Sequence, residues 1–587
     1  MNCKSIIFSY FKKHGYRYLI GVVCVIIASI FSTAIPKLLG DAIDMLEEAG
    51  SLSEVPGIRK VALAIALCAF AAFAMKFIWR YFIFGFTRSI ELHLRHSIFS
   101  RLQELSQDYY VKNNTGDLIT RGIVDVQAVR MLFGGGLVGF IEIISNAVIT
   151  ISYMVATANL GLTAISVIPV PILLFILVKI RKVMRRKYAE VQASVSDIAS
   201  KVQENITGIR VIKAFSQESD ENKRFEELSK KKWKAEIGFT KAWAFVNPTS
   251  SFVFGVVFSL FLYFGGKAVI NGSLSLGEFV AFNTYIVYLL DPVSRISHLV
   301  QVWQRGLVSI QRMDVILSST PTVDDSRAKP EITELGNVGI SVKGLTYSYP
   351  GTDTEVLKDI SFDLRPGEVL AVMGPTGCGK STIMSLLMRM WEAPDDSITV
   401  NGHAIDEIPL RTLRSSISYV PQEAFLFSDT IMNNIIFYDD AITPDDAVAA
   451  AKVAAVHESI SEFQEGYNTI VGERGMTLSG GQKQRISIAR AISRKPGLLL
   501  LDDCLSAVDA ETEHEIIAGL REHIRGCTTI IVTHRIAAAS LADRILLLSE
   551  DGRAEALGTH AELSQTSEAY RSLIALSKAN SEKEGNN

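Results

Sequence analysis

Residues Leu478 to Asp503 read LSGGQKQRISIARAISRKPGLLLLDD. Leu498 to Leu501 are all apolar, as expected for a strand buried on both faces of a parallel sheet. Asp502 follows at the end of that strand, with a carboxylate to aim outward. At the other end of the stretch, Leu478-Ser479-Gly480-Gly481-Gln482 is a glycine-rich turn that opens a helix. Backbone N–H groups at such a start suit the edge of a phosphate. Alone the pentapeptide is a modest signal, but close ahead of an apolar strand ending in aspartate it is specific. The pair predicts a nucleotide-binding α/β domain.

Upstream, Gly374-Pro375-Thr376-Gly377-Cys378-Gly379-Lys380-Ser381 matches GxxxxGK[ST]. It follows an apolar strand, Val369–Met373, and opens a helix, Ser381–Arg389, which is the context a phosphate-cradling loop needs. Thr382 sits in the first turn of that helix. The loop's N–H groups and the helix start hold phosphates, Lys380 reaches the β- and γ-phosphates, and Ser381 ligates Mg²⁺ together with Asp502. ATP and Mg²⁺ are therefore the expected ligands. Cys378 reads as a tolerated small residue rather than a redox group. Tyr349, in Thr346-Tyr347-Ser348-Tyr349-Pro350, offers a ring face to adenine, and Tyr347 is assigned to the core. Gln422, after Tyr419-Val420-Pro421, is placed to touch Mg²⁺ and the attacking water. Asp509, in Ser506-Ala507-Val508-Asp509, is a further nucleotide contact. His534, after the strand Thr528–Val532, is placed to hold the γ-phosphate.

The chain has 587 residues, more than one core accommodates. Its 59 Lys plus Arg nearly balance 62 Asp plus Glu, so no global charge draws it to nucleic acid. The six cysteines show neither metal-ligand spacing nor a disulfide framework, which fits a reducing cytosolic face. The long uncharged runs all fall in the first half. A bilayer span takes about 20 mainly apolar residues. Six stretches qualify: Tyr18–Ile35, Val61–Phe86, Met131–Leu160, Leu160–Ile180, Pro248–Ile270 and Leu276–Val300. The first alone would pass for a signal peptide, but the spans behind it mark an uncleaved helix.

Lys4, Lys12, Lys13 and Arg17 precede the first span, and the loop after it is acidic. Basic residues crowd the stretch from Lys179 to Lys234. By the positive-inside rule the N-terminus, the long inter-span segments and the nucleotide domain are cytoplasmic. Residues 3–14 are expected to form a short interfacial helix. The segments 85–132 and 181–245 keep helical patterning without proline, and predict hairpins reaching ~35 Å beyond the bilayer at 1.5 Å per residue. Turns are signalled at Asn113–Asp117 and Asn205–Gly208. Polar residues within the spans mark candidate positions on a transport path: Glu142, Ser145 and Asn146, then Asn247, then Asn283, Thr284 and Asp291. The division expected is a transmembrane domain over 1–320, a linker over 321–337, a nucleotide-binding domain over 338–577 and a disordered tail over 578–587.

Lys380, Gln422, the LSGGQ at Leu478, Asp502, Asp509 and His534 together resemble the ATPase domain of ABC transporters. The resemblance extends through the first half. Gly116-Asp117-Leu118 before Arg121 is similar to the first coupling segment of B-type ABC exporters, and Gly208–Phe215 with Glu218 to their second. Thr469-Ile470-Val471-Gly472-Glu473-Arg474-Gly475 is similar to the loop by which exporter ATPases meet a partner's coupling helix. The resemblance implies an α-helical six-span transmembrane domain (the type IV, or type I exporter, fold) fused to an α/β P-loop ABC ATPase domain. It implies a half-transporter in a bacterial cell membrane, with two ATP molecules held between head-to-tail ATPase domains. Each site then joins one chain's Walker residues to the other's LSGGQ.

One residue departs from that family's pattern. Where the family places a glutamate to orient the attacking water, this chain has Asp503. A base must come within about 2.6–3.2 Å of the proton it takes. Losing one methylene retracts the carboxylate by about 1.5 Å, and a misplacement of that order costs ~100-fold in rate. Bacterial heterodimeric exporters resemble this arrangement, with one subunit lacking the glutamate but keeping a good signature and its partner doing the reverse. The resemblance thus implies a second, different half-transporter carrying the glutamate and an altered signature. The alternatives are a homodimer with two slow sites, an ATP-gated channel, and an importer on the same fold. A soluble ABC ATPase of DNA repair or translation is excluded by the spans. The first half has no segment like a leader-processing peptidase. A small amphipathic substrate (drug, lipid or peptide) suits a six-span bundle.

Overall fold

The computed structural model describes residues 2–48, 56–157, 160–472, 475, 478–505, 508 and 510–575. Glu473, Arg474, Asp509 and the tail from 578 lie outside the described residues, as do the side chains of Asn247 and Asp291. The chain forms two units, residues 1–103 with 116–319 and residues 104–115 with 320–587.

Among the described residues the first unit is helical, and helix lies in each of the six apolar stretches. Among the described residues four helical stretches are long and apolar enough to cross a membrane: Cys3–Glu47, Gly57–Glu104, Thr115–Thr157 and Ser251–Ile270. The two other stretches lie in Leu160–Val167 with Pro169–Thr207, and in Leu276–Ser318, whose apolar part is Leu276–Leu289. The separate interfacial helix over 3–14 is not formed. Cys3–Glu48 is a single helix. Gly15 costs such a helix only about 1 kcal/mol, and the buried Cys3, Ile6 and Ile7 continue the packed face toward Tyr18.

Helix lies on both sides of each signalled turn. Helix Pro56–Glu104 leads through Gln107–Lys112 to the helical stretch from Thr115, and Pro169–Thr207 leads through Ile209–Ala214 to Glu218–Trp243. Gly208 ends the first arm of the second hairpin. Short π segments at Arg121–Asp125 and Leu132–Gly136 interrupt the third stretch. In the first, Asp125 is buried and accepts from Ser309 Oγ at 2.7 Å. The ends of two apolar helices meet through glycine: a side chain on Gly277 would lie 2.0 Å from the Gly40 carbonyl oxygen. Asp44 fixes that crossing by accepting from the Gly277 amide at 2.6 Å and from Ser275 Oγ at 2.6 Å.

Among the described residues the second unit carries ten strands: β1 (Ile340–Ser348), β2 (Glu355–Leu364), β3 (Val369–Met373), β4 (Ile398–Val400), β5 (His403–Ala404), β6 (Ile417–Val420), β7 (Leu498–Asp502), β8 (Thr528–Val532), β9 (Arg544–Leu548) and β10 (Ala554–Gly558). One sheet has the order β2-β1-β4-β5, the other β10-β9-β3-β8-β7-β6. In the larger sheet β9, β3, β8, β7 and β6 run parallel, and β3, β7 and β8 are buried throughout. That burial on both faces is why their sequences are continuously apolar rather than alternating.

The segment Thr320–Gly339 has no regular structure, yet it is tied down along its length. Thr322 Oγ1 donates to Asp108 at 3.0 Å, and the Val323 amide donates to Ser106 Oγ at 2.9 Å. Further along, Asp325 accepts from the Leu410 amide at 2.7 Å and Ile332 O from Thr412 Oγ1 at 3.1 Å. Arg389, 1% exposed, donates to the Asp324 carbonyl at 3.0 Å and to Glu392 at 2.7 Å. The segment expected to be a linker is thus hydrogen-bonded along its length to the second unit and holds Glu104–Thr115 there.

Candidate nucleotide and metal site

Parallel strands present their carboxyl ends on one edge, and in open α/β sheets ligands gather there. Here β3, β8, β7 and β6 deliver in turn the loop Gly374–Gly379, His534, Asp502 with Asp503, and Gln422.

The loop after β3 turns sharply. Gly374, Gly377 and Gly379 have φ of +152°, +88° and +97°. A side chain on Gly379 would lie 2.5 Å from Leu357 Cδ2, so both conformation and space demand glycine there. Pro375, Thr376, Gly377 and Ser381 are exposed, while Cys378, Gly379, Lys380 and Thr382 are buried beneath them. Lys380 Nζ donates to the carbonyls of Gly374 at 2.9 Å and Pro375 at 2.6 Å and contacts Cys378 Sγ at 3.8 Å. Its ammonium thus lies inside the loop where phosphate oxygens are to be met. Tyr349 is half-buried. Its hydroxyl shares a hydrogen bond with Thr382 Oγ1 at 3.0 Å, and its ring meets Trp391 and Tyr347 edge-on. Tyr347 lies in the core, 7% exposed.

Asp502 is 3% exposed at the end of β7, and Ser381 Oγ donates to its Oδ1 at 3.1 Å. A hydroxyl and a carboxylate together are hard oxygen donors. Mg²⁺ takes only one or two carboxylates from protein when phosphates supply the rest, so this donor set fits it. Tyr419, on β6, donates to Asp502 Oδ2 at 3.3 Å. Burial first, and then Asp502 itself, push the tyrosine hydroxyl well above its usual range, so it remains a protonated donor.

Asp503 has left the strand, with φ +43°, and its amide donates to the Val532 carbonyl at 2.9 Å. Burial raises its carboxyl above the ordinary aspartate range, Asp502 adds to the rise, and His534, Arg535 and Lys380 oppose it. Burial lowers the His534 imidazole, with Lys380 acting the same way and Asp503 opposing. The charged groups at this edge therefore sense one another.

Gln422 is exposed after β6, and its carbonyl accepts from Gln484 Nε2 at 3.3 Å. Gln484 belongs to the helix Gly480–Ser493. Ser479 caps that helix: its Oγ accepts from the Gln482 amide at 3.2 Å, and Gln482 Oε1 accepts from the Ser479 amide at 2.9 Å. Gly480 and Gly481 form its first turn and Leu478 is buried. The expected glycine-rich helix start is thus in place. Sequence reading passed over Tyr419 and Gln484. The signal was the strand order: with β6 beside β7, Tyr419 pairs with Leu500, two residues short of Asp502.

Glu142, Ser145 and Asn146 lie half-buried on helix Leu137–Thr157, and Asn283 and Thr284 half-buried on Leu276–Ser318.

Two family models match the chain, the ABC transporter transmembrane region over residues 18–293 and ABC transporter over residues 357–506. The chain is 34% identical to a probable multidrug resistance ABC transporter ATP-binding/permease protein, YheI, of Bacillus subtilis, over 96% of this chain and 95% of that one. It is 31% identical to the multidrug resistance-like ATP-binding protein MdlA of Escherichia coli, over 96% and 95%. It is 30% identical to the ATP-dependent lipid A-core flippase of Syntrophus aciditrophicus, over 92% and 88%. Among solved structures, a bacterial Atm1-family ABC exporter with ATP bound superposes with a TM-score of 0.78 at 24% identity, over 95% of this chain and 98% of that one.

Proposed function

This chain belongs to the ABC transporter family, as an exporter chain with its own transmembrane and ATP-binding domains, and we propose that it exports a small amphipathic substrate as one half of a heterodimer. Drugs and lipids are the favoured substrates, because those are the cargoes named for its relatives. In this reading the N-terminus and the ATPase domain face the cytoplasm, six spans cross the cell membrane, and the chain's own ATP site binds well and hydrolyses slowly.

Asp503 carries the proposal. Groups suited to nucleotide support this reading: Lys380 lies inside its loop, Ser381 bonds Asp502, and elsewhere Ser479 caps the signature helix. Only the group that would activate water is one methylene short. A chain that keeps its binding residues and its signature suits a partner that supplies the complementary pair. The hairpin helix Glu218–Trp243 has no buried residue, and Trp233 on it is 62% exposed. A helix that bare within its own unit suits a partner surface.

ATP binding at the two composite sites draws the ATPase domains together, the hairpins carry that closure to the spans, and hydrolysis at the partner's site resets them. Bound here, Mg²⁺ would supply charge neutralisation to the phosphates. Ser381 and Asp502 would hold it, Lys380 and the loop amides would hold phosphate, and His534 and Gln422 would serve the γ-phosphate side.

One observation favours the homodimer. Burial raises the Asp503 carboxyl, which makes it a better base than an ordinary aspartate. Purification of the chain alone separates the two readings. A heterodimer subunit should bind ATP and hydrolyse it far below ~1 s⁻¹, the low end of ordinary enzyme turnover. Adding a half-transporter with the glutamate should restore turnover, and changing that glutamate to glutamine should abolish it. Ordinary turnover by the chain alone would sink the heterodimer.

A further inference from the structure

We propose that Tyr419 is a positioning residue for the metal: its hydroxyl orients the Asp502 carboxylate so that the oxygen shared with Ser381 faces Mg²⁺. Asp502 is 3% exposed, and each of its oxygens already has one protein partner, Ser381 Oγ on Oδ1 at 3.1 Å and Tyr419 Oη on Oδ2 at 3.3 Å. A carboxylate has a free torsion about its last bond, and neither the strand nor Ser381 alone fixes both oxygens. The tyrosine holds the far oxygen and so sets the plane of the near one. It reaches Asp502 across the sheet from β6, whose Tyr419 pairs with Leu500 on β7.

The phenol suits this task. It is half-buried, and its hydroxyl reaches the far oxygen of Asp502 as a neutral donor. A lysine there would neutralise the carboxylate and weaken its hold on metal. Tyr419 also lies three residues before Gln422 on one continuous strand and turn. The Gln422 carbonyl is held by Gln484 of the signature helix at 3.3 Å. Movement of the Gln422 turn therefore reaches the metal carboxylate through a single hydrogen bond.

The inference rests on Asp502 as the metal ligand, and Tyr419→Phe tests it without disturbing packing. The readout is binding rather than turnover: a fluorescent ATP analogue is titrated into the full-length chain in detergent, across a Mg²⁺ series and in EDTA. A hydrogen bond to a charged group contributes enough that its loss should raise the Mg²⁺ needed for half-maximal binding about tenfold. Binding in EDTA should be unchanged, which a general loss of structure would not spare. Equal weakening with and without Mg²⁺, or an unchanged Mg²⁺ requirement, overturns the proposal. Asp502→Asn is the companion variant. If it abolishes the Mg²⁺ dependence while Tyr419→Phe does nothing, only the positioning role fails. If Asp502→Asn leaves the dependence intact, the ligand assignment fails and the positioning role falls with it.

Discussion

Asp503→Glu should turn this chain's own ATP site into a hydrolytic one. The added methylene advances the carboxylate by about 1.5 Å, which spans the gap between a base that misses the water and one within reach of about 2.6–3.2 Å. A misplacement of that order costs ~100-fold, so restoring reach should return about 2.7 kcal/mol of barrier. The backbone opposes the change. Asp503 has φ +43°, a left-handed conformation that aspartate tolerates better than glutamate does. Forcing glutamate into it should cost on the order of 1 kcal/mol. That strain falls on the stability of the folded domain rather than on the chemical step, and should lower its melting temperature by about 2–4 °C. The assay needs the partner's site silent. The chain is purified with a partner whose Walker glutamate is glutamine, and hydrolysis of radiolabelled ATP is followed in a single turnover. Own-site hydrolysis in Asp503→Glu is expected to exceed wild type by ~100-fold. A change smaller than about threefold with nucleotide binding intact would refute the geometric argument, because reach would not be what limits the site.

Two further outcomes follow from the site. Burial raises the Asp503 carboxyl, so the folded state favours its protonated form; that stability is full below the unfolded value of 3.8 and is lost as pH rises through the folded value. At neutral pH the ionised group is therefore a liability. Asp503→Asn should melt above wild type at pH near 8, with the gap closing as pH falls toward the unfolded value; equal melting across the series would show that burial is not the main influence on this carboxyl. Ser479→Ala removes a cap whose Oγ accepts from the Gln482 amide at 3.2 Å, at a cost of about 1 kcal/mol. If this chain's signature serves the partner's site, partner-site turnover should fall roughly fivefold while own-site nucleotide binding stays put. An equal fall in both would argue against divided roles.

What could be read from sequence was whatever the local chain dictates. Strands Val369–Met373, Leu498–Asp502 and Thr528–Val532 appear with the limits expected, because an apolar run between polar ends has few other homes. The glycines of the phosphate loop were equally plain, since each answers a backbone need at its own position. Contacts between distant segments were not legible. Tyr419 and Asp502 are 83 residues apart, Asp44 and Gly277 233 apart, and Asp108 and Thr322 214 apart. No periodicity marks such pairs. They follow from strand order and helix crossing, and β3 lies between β8 and β9 rather than beside its sequence neighbours. The interfacial helix over 3–14 was misjudged for a related reason: a change from basic to apolar residues reads as a boundary, while the buried Cys3, Ile6 and Ile7 continue the packed face of one helix.

The same distinction explains why Asp503 speaks for more than its own site. Only Arg494–Gly497 separate the signature helix Gly480–Ser493 from β7, so one short stretch of chain carries both the Ser479 cap and the Asp502 carboxylate. Gln484 from that helix holds the Gln422 carbonyl, and Tyr419 just before Gln422 holds Asp502. In a head-to-tail pair the signature would serve one ATP and the Walker residues the other, so this short circuit of hydrogen bonds would lie between the two sites. A substitution that shifts the metal carboxylate should then be felt at the partner's site even where this chain hydrolyses little itself. In that pairing, loss of catalytic reach at Asp503 would be compatible with intact residues around it, because those neighbours would still position the half-site that the partner uses.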